Sequence, residues 1–144
     1  MKIYTSYWAM LRHFPKNLIG LSTCRYNPKW LNPNRDKKGA IWLDIPPLKP
    51  GRECDGLCNG KCAPKHPNDC DFLKMYRKQL DKIDFKMFIE HLEALAKTIQ
   101  IGENLEEINF AFLVYERWDN PCSERVVIQQ WFKDNGMEIE EWRQ

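Results

Sequence analysis

No stretch of this 144-residue chain stays apolar for long enough to cross a membrane as a helix. The opening Met1-Lys-Ile-Tyr-Thr-Ser-Tyr7 lacks the apolar middle region of a secretory signal. Net charge is scarce as well. Twenty-two Lys and Arg against 20 Asp and Glu leave +2, too little to require a polyanion or a membrane surface as partner. No phosphate loop, dinucleotide glycine fingerprint or hydrolase nucleophile elbow occurs. Basic and aromatic residues are nowhere dense enough together to line a groove for single-stranded nucleic acid. There is no internal repeat. The expectation is a cytoplasmic, membrane-free globular protein whose chemistry lies in smaller signals.

What is present begins with an ordinary core. Apolar residues make up 43% of the chain and charged residues 29%, and 144 residues can bury one sizeable core without disulfides. Four of the six cysteines fall in Cys54-Asp-Gly-Leu-Cys58-Asn-Gly-Lys-Cys62-Ala-Pro-Lys-His66-Pro-Asn-Asp-Cys70. Gly56, Gly60, Pro64 and Pro67 break regular structure between them, so the thiols sit on a looping backbone that can wrap an ion. Cys54, Cys58, Cys62 and Cys70 are therefore the expected metal ligands, with His66 placed to substitute for one of them. Zinc is the first expectation for such a set. An iron–sulfur cluster is the alternative, because it too takes four thiolates. The plainer reading is four reduced cysteines or two disulfides. Leu57 is the one obvious large apolar residue of the loop, so metal binding would have to supply its order.

Hydrophobic spacing gives the rest of the chain its elements. Lys2–Thr5 reads as a short strand, Trp8–Phe14 as two helical turns stopped by Pro15, and Leu18–Ser22 as a buried strand. Ile41–Ile45 reads as a third strand, closed by Pro46-Pro47. A helix starts at Asp71. A second is capped by Asp84, carries an apolar stripe from Phe85 to Ile99 and ends at Gly102. Ile108–Tyr115 is apolar enough to be buried on both faces, as in a parallel sheet. Asn120 and Pro121 are set to start a last helix, stopped at Gly136, and Met137–Trp142 alternates like a final strand. Strands interleaved with helices predict an α/β class: one layered domain over residues 1–144 with a small, mostly parallel sheet, flanking helices and a metal-binding loop inserted at about 51–70.

In such a sheet, ligands gather beyond the carboxyl ends of the strands. Those ends carry Thr5-Ser6-Tyr7, Ser22-Thr23-Cys24-Arg25 and Tyr115-Glu116-Arg117, the last followed by Cys122-Ser123-Glu124-Arg125 at a helix start. Free backbone N–H groups there, with the Ser123 hydroxyl and the Arg125 guanidinium, suit a phosphate or carboxylate. Glu116 beside them is the candidate catalytic residue, as base or as nucleophile at a sugar carbon. Ser6, Tyr7, Cys24, Tyr115 and Cys122 complete the expected ligand-binding set. The plainer reading makes Ser123 and Glu124 a helix cap, Arg125 a partner of Glu116 or Glu124, and Cys24 and Cys122 small buried side chains.

The chain also resembles the family catalogued as domain of unknown function 488. Ile3-Tyr-Thr-Ser-Tyr-Trp-Ala9 is similar to that family's opening strand and turn. Leu18-Ile-Gly-Leu-Ser-Thr-Cys24 with Pro28-Lys-Trp30 resembles its second strand and loop, and Phe112–Glu116 with Cys122–Phe132 its late strand and following helix. Glu138–Trp142 fits its closing segment. Ser123-Glu124-Arg125 stands where the family has Cys-His-Arg, so Arg125 and Glu116 carry over and the histidine does not. The four-cysteine loop lies outside the family pattern. The resemblance implies an α/β fold and phage, bacterial-conflict and nucleic-acid settings, without an established reaction.

The expectation is thus a cytoplasmic, metal-stabilised protein that binds a nucleotide or nucleic-acid phosphate at the strand ends, with Tyr7, Tyr115 or Trp118 stacking on a base and chemistry at a glycosidic bond as an extension. One alternative is a non-catalytic sequestering protein that uses aromatic residues around Trp30 and Trp42. The other is iron–sulfur or thiol redox chemistry at Cys24 and Cys122.

Overall fold

The structure, a computed structural model, describes residues 1–29, 39–57 and 70–144. Five strands form one sheet: β1 (Ile3–Tyr7), β2 (Leu18–Ser22), β3 (Trp42–Asp44), β4 (Asn109–Val114) and β5 (Glu140–Glu141). Their order is β3-β2-β4-β1-β5, and every pairing is parallel. The α/β class read from the sequence holds, and "mostly parallel" becomes wholly parallel.

The centre of the sheet is β4, because it is the strand with no polar face. Phe110 and Phe112 point to one side and Ala111 and Leu113 to the other, all fully buried. On the first side pack α1 (Asp71–Asp81), α2 (Phe85–Glu103) and α3 (Glu124–Asp134). Phe112 lies 6.2 Å from Phe88 of α2 and 5.6 Å from Phe132 of α3, centroid to centroid. Burying one such ring stabilises the fold by roughly 1.5–3 kcal/mol. The second side is covered by a 3-10 segment, Trp8–His13, whose Trp8 and Leu11 join Phe14, Trp42 and Leu113. Gly20 of β2 permits that approach: a Cβ there would stand 2.6 Å from Leu113 Cδ1 and 3.2 Å from Leu11 Cδ1.

Several boundaries differ from expectation for local reasons. The helix α2 runs through Gly102 and ends where Asn104 takes a left-handed φ of 54°. The last helix starts at Glu124, capped by the Ser123 hydroxyl, which accepts from the Arg125 N–H. Asn120 instead closes a turn, its Oδ1 accepting from the Cys122 N–H at 2.9 Å. Trp42 is 5% exposed, edge-on to Trp8 at 5.2 Å. It is a core residue and supplies no surface for a partner, while Trp30 lies outside the described residues.

Candidate functional site

The chain leaves β2 through Thr23 and Cys24 into the Trp8 side of the sheet, and leaves neighbouring β4 toward α3 on the helix side. Adjacent strands whose continuations part to opposite faces leave a crevice beyond their carboxyl ends. A cavity of about 340 Å³ occupies that place, with Cys24, Tyr26, Cys54, Phe72, Tyr115 and Glu124 in its wall. Thr23 holds the β2 side, since both its N–H and its hydroxyl donate to the Leu113 carbonyl, at 3.2 and 2.9 Å. The Tyr115 hydroxyl donates to the Tyr26 carbonyl at 2.6 Å and ties the two loops across the mouth. Arg25 forms an ion pair with Asp55, joining the β2 loop to the start of the cysteine-rich segment.

Of the wall residues, Glu124 is the electrostatic outlier. It opens α3 and is half-buried. Its charge is felt at Cys24, Cys54 and Tyr76, which places the carboxylate on the cavity side of the helix. Burial first, and the negative charge of Glu116 second, push its pKa from 4.5 up to about 7, against the pull of its own backbone N–H and of Arg125. Glu116 does not line the cavity. Ser123 Oγ donates to Glu116 Oε2 at 3.1 Å, holding that carboxylate beside the helix start.

Arg125 corrects the sequence reading most sharply. It is 2% exposed and turned away from the cavity toward β1 and β5. Its Nε donates to Glu141 Oε1 at 2.6 Å, Nη1 to the Arg117 carbonyl at 2.8 Å, and Nη2 to the carbonyls of Glu116 at 2.7 Å and Ser6 at 3.5 Å. Four of its five N–H groups are spent inside the fold, and the side chain is not presented to an anion in the cavity. Ser123 is 1% exposed and both donates and accepts within the cap, so it too is committed. Ser6 is buried, with its hydroxyl on the Trp142 carbonyl at 3.1 Å, and Tyr7 lies under the Arg125 guanidinium, 5.9 Å from it. The expected set therefore splits in two. Ser6, Tyr7 and Arg125 build the β1–β5 side of the fold, whereas Cys24 and Tyr115 face the cavity. Cys122 is half-buried and free of disulfide, in the turn before α3.

Cys24 is 5% exposed and accepts from the Trp8 indole N–H at 3.3 Å. Burial pushes its thiol up to about 12, with Glu124 and Glu116 adding to the rise and Trp8 opposing it. That is a protonated, inert thiol at neutral pH. Three other cations at this end are engaged as well: Lys49 pairs with Asp44 at 2.7 Å, Arg117 with Asp119 at 3.5 Å, and Arg143 lies over the Trp118 ring at 4.0 Å.

Of the expected metal ligands, Cys54 and Cys70 are described, and Cys58, Cys62 and His66 lie outside the described residues. Cys54 ends a 3-10 turn (Arg52–Cys54), and Cys70 immediately precedes α1. Both are free of disulfide and buried in the helix-side core. Burial raises the Cys54 thiol pKa, and Glu53 adds to it. Among the described residues no group of three or more metal-binding side chains converges.

A larger hollow, about 1060 Å³, lies elsewhere, between the start of β1, α2, α3 and β5. It mixes Ile3, Ile89 and Val126 with Lys133, Glu93 and Glu138 and lies away from the strand carboxyl ends. The crevice at β2 and β4 is the better candidate because aromatic walls and a displaced carboxyl coincide there, at the strand carboxyl ends. Tyr26, Phe72 and Glu124 are the wall residues that sequence reading passed over. Glu124 carried a signal, an acid at the first turn of a helix following a strand-end loop, but that signal equally marks a helix cap. No helix among the described residues is long and apolar enough to cross a membrane. Compared with known proteins, the chain matches no family model, no curated protein and no solved structure.

Proposed function

We propose that this protein binds a base-bearing ligand, a nucleoside or the base end of a nucleotide, in the crevice beyond β2 and β4. One observation carries the reading: a 340 Å³ cavity at a parallel sheet's carboxyl ends whose wall includes Tyr26, Phe72 and Tyr115 together with Glu124. Flat aromatic walls favour a flat ring, and a volume at the lower end for ligand pockets suits a single nucleoside rather than a polymer. Phosphate recognition by Ser123 and Arg125 drops out of the proposal, since both are committed inside the fold. Chemistry at a glycosidic bond by Glu116 drops out with it, because Glu116 is not in the cavity wall. The role is binding, and the alternative of a sequestering protein differs from it in partner rather than in mechanism.

A bound metal at Cys54, Cys58, Cys62 and Cys70 belongs to the same proposal, with zinc ahead of an iron–sulfur cluster. Two buried cysteines at the ends of the cysteine-rich segment, one with its thiol pKa raised by burial, suit a site in which a cation offsets the cost of thiolates. Elemental analysis of untreated protein gives about one zinc per chain if this holds. Visible absorption with iron and sulfide would replace zinc by a cluster, and metal-free folded protein would remove the site.

The ligand reading is tested by saturation-transfer NMR with a panel of nucleosides, repeated on Tyr115→Ala. Binding that weakens at least tenfold in that variant, with an unchanged Tm, supports the crevice. Nucleoside binding indifferent to Tyr115→Ala and Phe72→Ala places the ligand elsewhere.

A further inference from the structure

The polar groups in the cavity wall differ in how far they are committed. Arg25 is ion-paired with Asp55. The Cys24 sulfur accepts from Trp8 and lies 3.8 Å from the Leu113 carbonyl, on which it donates. The Tyr115 hydroxyl donates to the Tyr26 carbonyl. Glu124 differs: among the described residues the one hydrogen bond to its carboxylate comes from its own backbone N–H. The guanidinium of neighbouring Arg125 points toward Glu141, and none of its hydrogen bonds goes to Glu124.

We infer that Glu124 makes the crevice selective for a ring edge bearing two adjacent N–H donors, the edge of guanine, an inference that rests on the base-binding reading above. An ionised carboxylate only accepts, and it accepts two parallel N–H bonds as a fork. Guanine offers such a pair, its ring N1–H beside its exocyclic amine. Adenine and cytosine set one amine beside a ring nitrogen lone pair, which would face a carboxylate oxygen. Uracil flanks its single N–H with two carbonyls, which are repelled twice. The same carboxylate therefore attracts one base and disfavours three, and both halves contribute to selectivity. Among the described residues the one cation in the wall is Arg25, already paired with Asp55, so none is left over there for a phosphate on the ligand.

Isothermal titration at pH 8 with guanosine, inosine, adenosine and guanosine monophosphate tests this directly. Inosine is guanosine without the exocyclic amine, so it loses one of the two bonds. Guanosine is expected to bind about tenfold or more tighter than inosine or adenosine, and the monophosphate no tighter than guanosine. Glu124→Gln replaces one acceptor oxygen by a donor, so it should weaken guanosine about tenfold or more and strengthen adenosine, whose ring nitrogen then faces an N–H. Equal affinities for all three nucleosides would overturn the selectivity while leaving a ring-binding crevice in place. Binding of none of them would overturn the crevice reading and this inference with it. A monophosphate bound much more tightly than guanosine would overturn the assignment of the polar contact to Glu124.

Discussion

Glu124→Gln should change the stability of the free protein in a direction opposite to most buried polar substitutions, and only over part of the pH range. The Glu124 carboxyl moves from 4.5 in the unfolded chain to about 7 in the fold. A raised pKa means that the native state holds the proton more tightly. Its contribution is then fully present below pH 4.5 and lost as pH rises through 7. The displacement corresponds to about 3 kcal/mol, since each tenfold change in the proton equilibrium is worth about 1.4 kcal/mol. Glutamine has nearly the same shape, does not titrate and fits the same half-buried place.

Urea unfolding of both proteins between pH 4.5 and 8.5 isolates the effect, because the remaining ionisable groups largely cancel in the difference. The stability of Glu124→Gln relative to wild type should rise by about 3 kcal/mol across that range. Loss of an ionised acid at the first position of α3 works against the variant, but by about 0.3–1 kcal/mol only, so the sign survives. Burial is the larger cause of the shift and Glu116 the smaller. Glu116→Gln should accordingly lower the Glu124 pKa in part, as read by carboxyl carbon NMR. A difference that stays flat with pH, or falls, would mean that the carboxylate is solvated and would remove the basis for treating the crevice as a low-dielectric site.

Arg125→Met should destabilise the protein by about 3–5 kcal/mol in urea unfolding, because it strands the 14%-exposed Glu141 carboxylate and three carbonyls. A stable variant with altered ligand binding would restore Arg125 to the site. Gly20→Ala should cost about 1–3 kcal/mol, since the Cβ meets Leu113 Cδ1 at 2.6 Å inside a filled core, and a stabilised variant would show that the core can give way there. Native Cys24 should react with iodoacetamide at least about a hundredfold more slowly at pH 7.5 than in urea, because a pKa of about 12 leaves few thiolates. Rapid native labelling would reopen the thiol reading.

How much of this was legible in the sequence depended on how far each feature is decided by its own residues. β2 and β4 could be read because their apolar runs have no alternative to burial, and β2 was bounded to the residue at Leu18–Ser22. The apolar stripe and Asp84 cap of α2 were equally local, the cap accepting from the Met87 N–H at 3.1 Å. The strand order was not readable. Sequence separates β1 from β4 by about a hundred residues, yet they pair along five positions, and only the packing of both sheet faces decides that. β5 shrinks to Glu140–Glu141 because it pairs with β1 alone, at the sheet edge. A cavity does lie at the strand carboxyl ends, but Phe72 and Cys54 reach its wall from elements that no local pattern joins to β2 or β4.

The misreading of the helix start has a geometric cause. Successive residues of an α-helix point about 100° apart, so Ser123, Glu124 and Arg125 cannot all address one ligand once Ser123 is fixed as the cap. The fold distributes them. Ser123 turns back onto Glu116 and the Arg125 N–H, Glu124 faces β2 and β4, and Arg125 faces β1 and β5. Arginine carries the longest side chain and five donors, so it takes the position where carbonyls from two segments and the Glu141 carboxylate converge, and closes the sheet edge. The position left facing the crevice is the acid. A crevice whose helix start suggested an anion site thereby carries a carboxylate in its wall, and on the base-binding proposal its ligands are those that offer N–H groups.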